Sequence, residues 1–455
     1  MSHTKYSNHC ILLFVALSCI AQQICCAELQ MPVKDWTFIT YMAADNDLAQ
    51  FSRKNLIQQA SIGSNKNINI VVHLDTKTPA HQKITKRYYV EKEKLILFNA
   101  EDQNGHPAMD SGDPHTLIDC CKWAITNFPA KNYALVLWNH GTGIIDIGRP
   151  RTINPSHLFS FNPINHLLEL DRSKEFLDFY GCITPEDPKG VCFDDTTGHY
   201  ITNQGLEEAL RIICSEYLHG KKFEIIAFDA CLMSMLEIGT MLQEFGEIMV
   251  SSQEVELGPG YPYDKMLEPF LQGSLDKTAF AKHMVKSYGD SYNKITHDYT
   301  QSAINLRNID LIQKNVDTVA ELLLKCLKIQ KSNAVDKAIR LSRHKMLCTH
   351  FDEPSYIDLA HFYANLCENS KSFEFLSPNA GEKLKFELLK ALELGQQLVA
   401  TTVISNATGS NLKKAQGVSI YFPERRIHSS YPRTNFAKTT KWLSFLGAYL
   451  STNKN

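Results

Sequence analysis

Beyond its amino-terminal block, this chain has no apolar run long enough to cross a bilayer, which argues against a membrane-spanning helix in the body of the protein. It has no excess of either charge: 47 lysines and arginines stand against 49 aspartates and glutamates, a formal net charge of −2. Nothing in that balance suggests nucleic acid or an anionic membrane as a partner. There is no C-x-x-C pair, which argues against a zinc or thioredoxin-type site. Internal repeats and low-complexity tracts are absent as well. What remains is an ordinary globular composition, 455 residues with 44% hydrophobic and 21% charged, enough for one large domain and a second smaller one.

The amino terminus reads as a secretory signal. Lys5 precedes the apolar block Ile11–Ala21, small residues follow, and charge returns at Glu28. Cleavage after Ala21 or Ala27 gives an exported protein, secreted or periplasmic. Four of the 13 cysteines (Cys10, Cys19, Cys25 and Cys26) fall in or beside this segment. The nine that remain are an odd number, so an exported chain keeps at least one unpaired thiol. The pairing of the others is not legible.

From residue 36 the pattern is strand, helix, strand. Residues 36–42, 67–75 and 133–140 read as strands, residues 85–90 and 95–98 as a hairpin, and residues 48–60 and 115–128 as helices. Asp45 or Asp47 can cap the first helix, or serve in an acidic loop that binds calcium; Asp113 with Pro114 caps the second. This spacing argues for βαβ units and an α/β fold with a mostly parallel sheet. Residues 143–195, rich in proline and charge, read as a long surface connection with at most one short helix near residues 167–179. A helix over 202–218 leads to the strand 223–231, with a helical pattern from Leu232 and a further strand at 247–252. Beyond about residue 263 long amphipathic helices dominate, so the expected division is a signal peptide (1–27), a sheet domain (28–300) and a mostly helical carboxyl-terminal domain (301–455).

The chemistry gathers at two strand ends. Phe223-Glu224-Ile225-Ile226-Ala227-Phe228-Asp229-Ala230-Cys231 ends in an acid and a thiol, and Leu135-Val136-Leu137-Trp138-Asn139-His140-Gly141 ends in an imidazole and a glycine. Open α/β sheets bind ligands at the carboxyl ends of their strands. A following helix amino terminus would favour the thiolate of Cys231. Cys231 as nucleophile, His140 as its base, and the amides of Gly141 and Cys231 aimed at an oxyanion make a coherent set. Cys120 and Trp123, by contrast, read as core.

Here the sequence resembles the clostripain family of caspase-like cysteine peptidases. The resemblance rests on Tyr41-Met42-Ala43-Ala44-Asp45-Asn46-Asp47-Leu48, on Leu137-Trp138-Asn139-His140-Gly141, and on Phe228-Asp229-Ala230-Cys231-Leu232-Met233. Ser251-Ser252-Gln253-Glu254, Gly260-Tyr261-Pro262-Tyr263, Tyr356-Ile357-Asp358-Leu359 and Gly417–Pro423 extend it over about residues 36 to 423. It implies a caspase-like α/β/α sandwich and a Cys231–His140 dyad cutting peptide or protein substrates after arginine or lysine. It also implies Asp229 as the acid of the specificity pocket. A carboxylate two residues before the nucleophile lies on the same strand face and can meet a basic side chain. Glu254 and Glu256 are further candidates for that pocket. No cofactor is required by this reading; calcium is allowed, with Asp45, Asp47, Asp194 and Asp195 as candidate ligands. The resemblance also suggests self-cleavage between His140 and Cys231, at Arg149, Arg151, Arg172, Lys174 or Lys189. Two alternatives stand beside the endopeptidase: a transpeptidase that passes the acyl group to an amine, and a catalytically silent binding protein or adhesin.

Overall fold

The computed structural model describes residues 32–78, 80–98, 100–101, 105–145, 157–172 and 190–451. The expected signal segment therefore lies outside the described residues. So do four of the five basic residues considered for self-cleavage.

A nine-stranded sheet organises the chain. Its first strands are β1 (Lys34–Ala43), β2 (Ile68–Lys77), β3 (Lys83–Glu91), β4 (Lys94–Phe98) and β5 (Ala130–Trp138). The set is completed by β10 (Phe223–Asp229), β11 (Gly246–Ser251), β12 (Thr300–Asn305) and β14 (Val403–Thr408). Their spatial order is β14-β12-β11-β10-β5-β1-β2-β3-β4. The five central strands, β11, β10, β5, β1 and β2, run parallel. The edges are antiparallel, β3–β4 on one side and β12–β14 on the other. The central strands are near-continuous apolar runs because both their faces are covered.

Strand β1 shows how. Its Thr37 hydroxyl donates to Phe128 O and its Tyr41 hydroxyl to Ser111 O, so this face meets the helix Pro114–Asn127 and the loop before it. On the other face Trp36 stacks edge-on against Phe280, Phe38 against Tyr263, and Thr40 donates to Gln59. That face meets the helices Ala49–Ile62 and Lys277–Tyr292. Helices on both sides of a mixed sheet make an α/β/α sandwich, as the sequence led us to expect.

Three details depart from expectation. Leu167–Leu170 is not the start of a helix but strand β7, paired with β6 (Phe159–Asn162) in a hairpin; Asn162 and Asn165 supply the turn by accepting from Ile164 N and Leu167 N. No helix begins at Leu232. That residue is left-handed (φ 64°) and the helix starts only at Leu236, because Met235 first makes a bridge to Ser419. Neither Asp45 nor Asp47 caps the helix Ala49–Ile62; Asn46 Oδ1 accepts from Leu48 N instead.

The carboxyl-terminal part is helical, led by Ile309–Ile329 and Pro378–Thr402, yet it is woven into the sheet. The line at 300/301 falls within β12, and β14 extends the sheet beyond it. This part also buttresses the site: Tyr356 accepts from Ile145 N and donates to Thr142 O, holding the loop after His140. Asp358 accepts from Gln253 Nε2, holding the segment after β11. No helix among the described residues is long and apolar enough to cross a membrane.

Candidate active site

Parallel strands bring their carboxyl ends to one edge, and here that edge holds nearly every residue of interest. In the register of β5 and β10, Trp138 stands opposite Asp229, so His140 and Cys231 emerge side by side two residues later. Both line one small pocket, together with Asp229 and Glu256. Between them Asn139 ties the strand end down: its Nδ2 donates to Ala43 O and Phe193 O, and its Oδ1 accepts from Phe193 N. A Cβ at Gly141 would run into Cys231 O, so glycine lets the two strand ends approach.

His140 has a partner that sequence reasoning assigned elsewhere. Its Nε2 lies 2.7 Å from Asp47 Oδ1. A carboxylate only accepts, so Nε2 carries the proton and Nδ1 is the nitrogen that can take one. The clue was available: Asp47 follows β1, the parallel neighbour of β5.

Cys231 is 3% exposed, and its Sγ accepts from Glu256 N at 3.2 Å. Burial pushes the thiol well above its ordinary pKa, and the Glu256 amide only partly offsets this. The expected help from a helix amino terminus is missing, since the helix begins five residues later. Burial therefore favours the protonated thiol.

Asp229 accepts from Tyr261 N at 3.0 Å and from the Tyr263 hydroxyl at 2.7 Å. Glu256 has no hydrogen-bond donor on either oxygen and faces Asp229. Burial raises the Asp229 carboxyl to about 6, with its hydrogen bonds working the other way. Burial and Asp229 together push Glu256 further up. Burial disfavours ionising both facing carboxyls, so a proton held between them is favoured. The pocket in front of them has a volume of only about 20 Å³, room for a water but not for a side chain.

Glu254, expected with them, is not in that pocket. Its side chain is buried elsewhere, accepting from Val255 N and Asp352 N and pairing with Arg172 at 2.8 Å. Arg172 also reaches Asp298 at 3.5 Å. Burial works against this guanidinium, but Glu254 and Asp298 hold its pKa above the ordinary value.

The acids considered for calcium separate in the same way. Asp45 and Asp194 meet Asp75, and oxygens of the three lie within 4.8 Å of one another. Lys83 Nζ sits among them, 3.1 Å from Asp45, 2.7 Å from Asp75, and in contact with Asp194, while Lys77 pairs with Asp45 at 2.7 Å. Burial disfavours the Lys83 ammonium, yet Asp75 and Asp194 raise its pKa above the ordinary value. With that ammonium seated, the cluster does not fit a divalent cation. Asp47 belongs to His140.

The sequence model of the clostripain family matches residues 40–157 and 178–448. The chain belongs to the clostripain family. It is thus a cysteine peptidase, as the resemblance implied. Clostripain of Hathewaya histolytica is 22% identical over 461 aligned residues, covering 89% of this chain and 78% of that protein. Among solved structures, a secreted C11 cysteine protease of Bacteroides thetaiotaomicron with an irreversible peptide inhibitor aligns with a TM-score of 0.56 at 18% identity. It covers 91% of this chain and 99% of the other. An inactive zymogen C11 protease of Parabacteroides distasonis gives 0.55 at 18% identity, with the same coverage. At such identity these structures speak for the fold. The eight described cysteines of this clostripain-family chain all carry free thiols.

Proposed function

We propose that this peptidase is an endopeptidase cutting after arginine or lysine, with Cys231 as nucleophile and His140 as base and acid. The reading is carried by one observation: two buried carboxyls, Asp229 and Glu256, lie beside the thiol with no cationic partner among the described residues. A cationic side chain entering there would displace the shared proton and be held by charge-assisted hydrogen bonds. As its carbonyl reaches the sulfur, the thiol proton passes to His140 Nδ1 and a carbon–sulfur bond forms. The amides of Gly141 and Cys231 are the candidate donors to the oxyanion. The imidazolium then protonates the leaving amine, and water hydrolyses the thioester. Asp47 holds the ring in the required tautomer throughout.

The narrow pocket must widen to admit such a side chain. One of its walls carries Leu257, Gly258 and Gly260, and this wall is the part that would have to shift. Calcium at the Lys83 cluster has no part in this reading. Self-cleavage in the connection is best sought outside Arg172, whose guanidinium is engaged. Export rests on the amino-terminal pattern and is tested by sequencing the amino terminus of secreted protein.

The decisive experiment is a fluorogenic panel with arginine, lysine, aspartate or asparagine before the scissile bond, with and without chelator. We expect arginine and lysine substrates to be cut, chelator to have no effect, and a peptidyl-arginine acyloxymethyl ketone to label Cys231 but not Cys231→Ala. Cleavage after aspartate or asparagine alone would overturn the reading.

A further inference from the structure

A mainly apolar cavity lies on the other side of the same wall. It has a volume of about 430 Å³, the size range of ligand sites. Phe51 comes from the helix Ala49–Ile62, Phe159 and Leu168 from the β6–β7 hairpin, and Tyr292 and Ile295 from the end of the helix Lys277–Tyr292 and the turn beyond it. Leu257, Gly258 and Gly260 line both this cavity and the pocket of Cys231 and Asp229.

The two glycines show how thin the partition is. A Cβ on Gly258 would collide with the Phe51 ring on the cavity side, and one on Gly260 with the Asp229 carboxylate on the other. The two compartments are thus separated by a single strand of backbone without side chains at either contact. A peptide whose basic side chain lies against Asp229 runs past this partition, and a flanking residue comes within reach of the cavity. Successive side chains of an extended peptide point in opposite directions, with same-side neighbours about 7 Å apart.

We propose that this cavity is a second substrate subsite, taking a bulky apolar side chain from a residue flanking the cleaved arginine or lysine. The proposal rests on the peptidase reading above and deepens it: the preferred substrate is a basic residue in an apolar context. Burial of about 60 Å² of apolar surface corresponds to a factor of about ten in affinity, so a leucine or phenylalanine seated here should be visible in rates.

The test is a peptide library with arginine before the scissile bond and each flanking position varied among leucine, phenylalanine, serine and glutamate. It is read beside acetyl-arginine amide as the minimal substrate, whose acetyl group is too small to fill the cavity. We expect one flanking position to favour leucine or phenylalanine over serine by at least about tenfold in kcat/KM. Leu168→Ser and Ile295→Asp, at partly exposed positions away from the thiol, should reduce that preference at least about threefold while leaving acetyl-arginine amide cleavage unchanged. A flat profile at every position, or a preference that survives both variants, overturns the subsite. Failure to cut any arginine substrate overturns the peptidase reading instead, so the two failures are distinct.

Discussion

Two acidic clusters sit near the carboxyl edge of one sheet, and they differ in whether the chain supplies a cation among them. Asp45, Asp75 and Asp194 enclose Lys83, a cation supplied by the chain itself. Among the described residues Asp229 and Glu256 enclose none, and burial favours a proton held between them. Burying a charge without its partner is costly, so a cluster that carries its own cation is part of the architecture. One that lacks a cation is, on the reading we propose, open to a cationic ligand. The Glu254–Arg172–Asp298 cluster is of the first kind, which is why Glu254 is absent from the pocket where the sequence suggested it.

The comparison breaks most visibly at Lys83. Lys83→Met leaves three carboxylates facing each other and should cost about 3–5 kcal/mol of stability, read from denaturant unfolding. The preference for arginine among peptides cut should not change. A stable variant would mean that Lys83 is not the counter-ion we describe. Asp229→Asn should do the opposite. Stability should hold or rise, since a buried charge is removed, whereas kcat/KM on arginine peptides should fall by roughly 30- to 5,000-fold, the loss of about 2–5 kcal/mol of charge pairing. Retained arginine cleavage would remove the distinction between the clusters.

Asp47→Asn sharpens it, because Asp47 lies beside the lysine-filled cluster yet serves the histidine. We expect kcat to fall on the order of 10²-fold with KM little changed. A change in KM alone would place Asp47 in substrate binding. The smallest effect is in pH. Asp229 must be ionised to hold a cation and its carboxyl titrates at about 6, so KM for arginine substrates should fall as pH rises through about 6. Below that value a proton competes with the substrate, and KM should rise up to about tenfold per pH unit. This limb should vanish in Asp229→Asn.

Much of the molecule was legible from periodicity and strand ends. The apolar runs at Trp36, Ile68, Tyr133, Phe223 and Glu247 are strands because residues buried on both faces leave no alternation to misread. Asp113 and Thr202 cap helices as their side chains predict, accepting from His115 N and Gly205 N. What misled were local patterns overridden by long-range pairing. Met235 continues a helical pattern in sequence, but its bridge to Ser419, 184 residues later, holds it extended and deprives Cys231 of a helix terminus.

Which residues are candidates for the chemistry was legible in the sequence alone: a thiol and an acid end one apolar strand, an imidazole and a glycine end another, and strand ends are where such folds expose reactive groups. Which acid serves which partner was decided only by the tertiary structure. Asp45, Asp47, Glu254 and Glu256 are equivalent as letters. Their roles separated when strand order and register placed Lys83 against the first, His140 against the second and Arg172 against the third, and left the fourth facing Asp229 with no cation of its own.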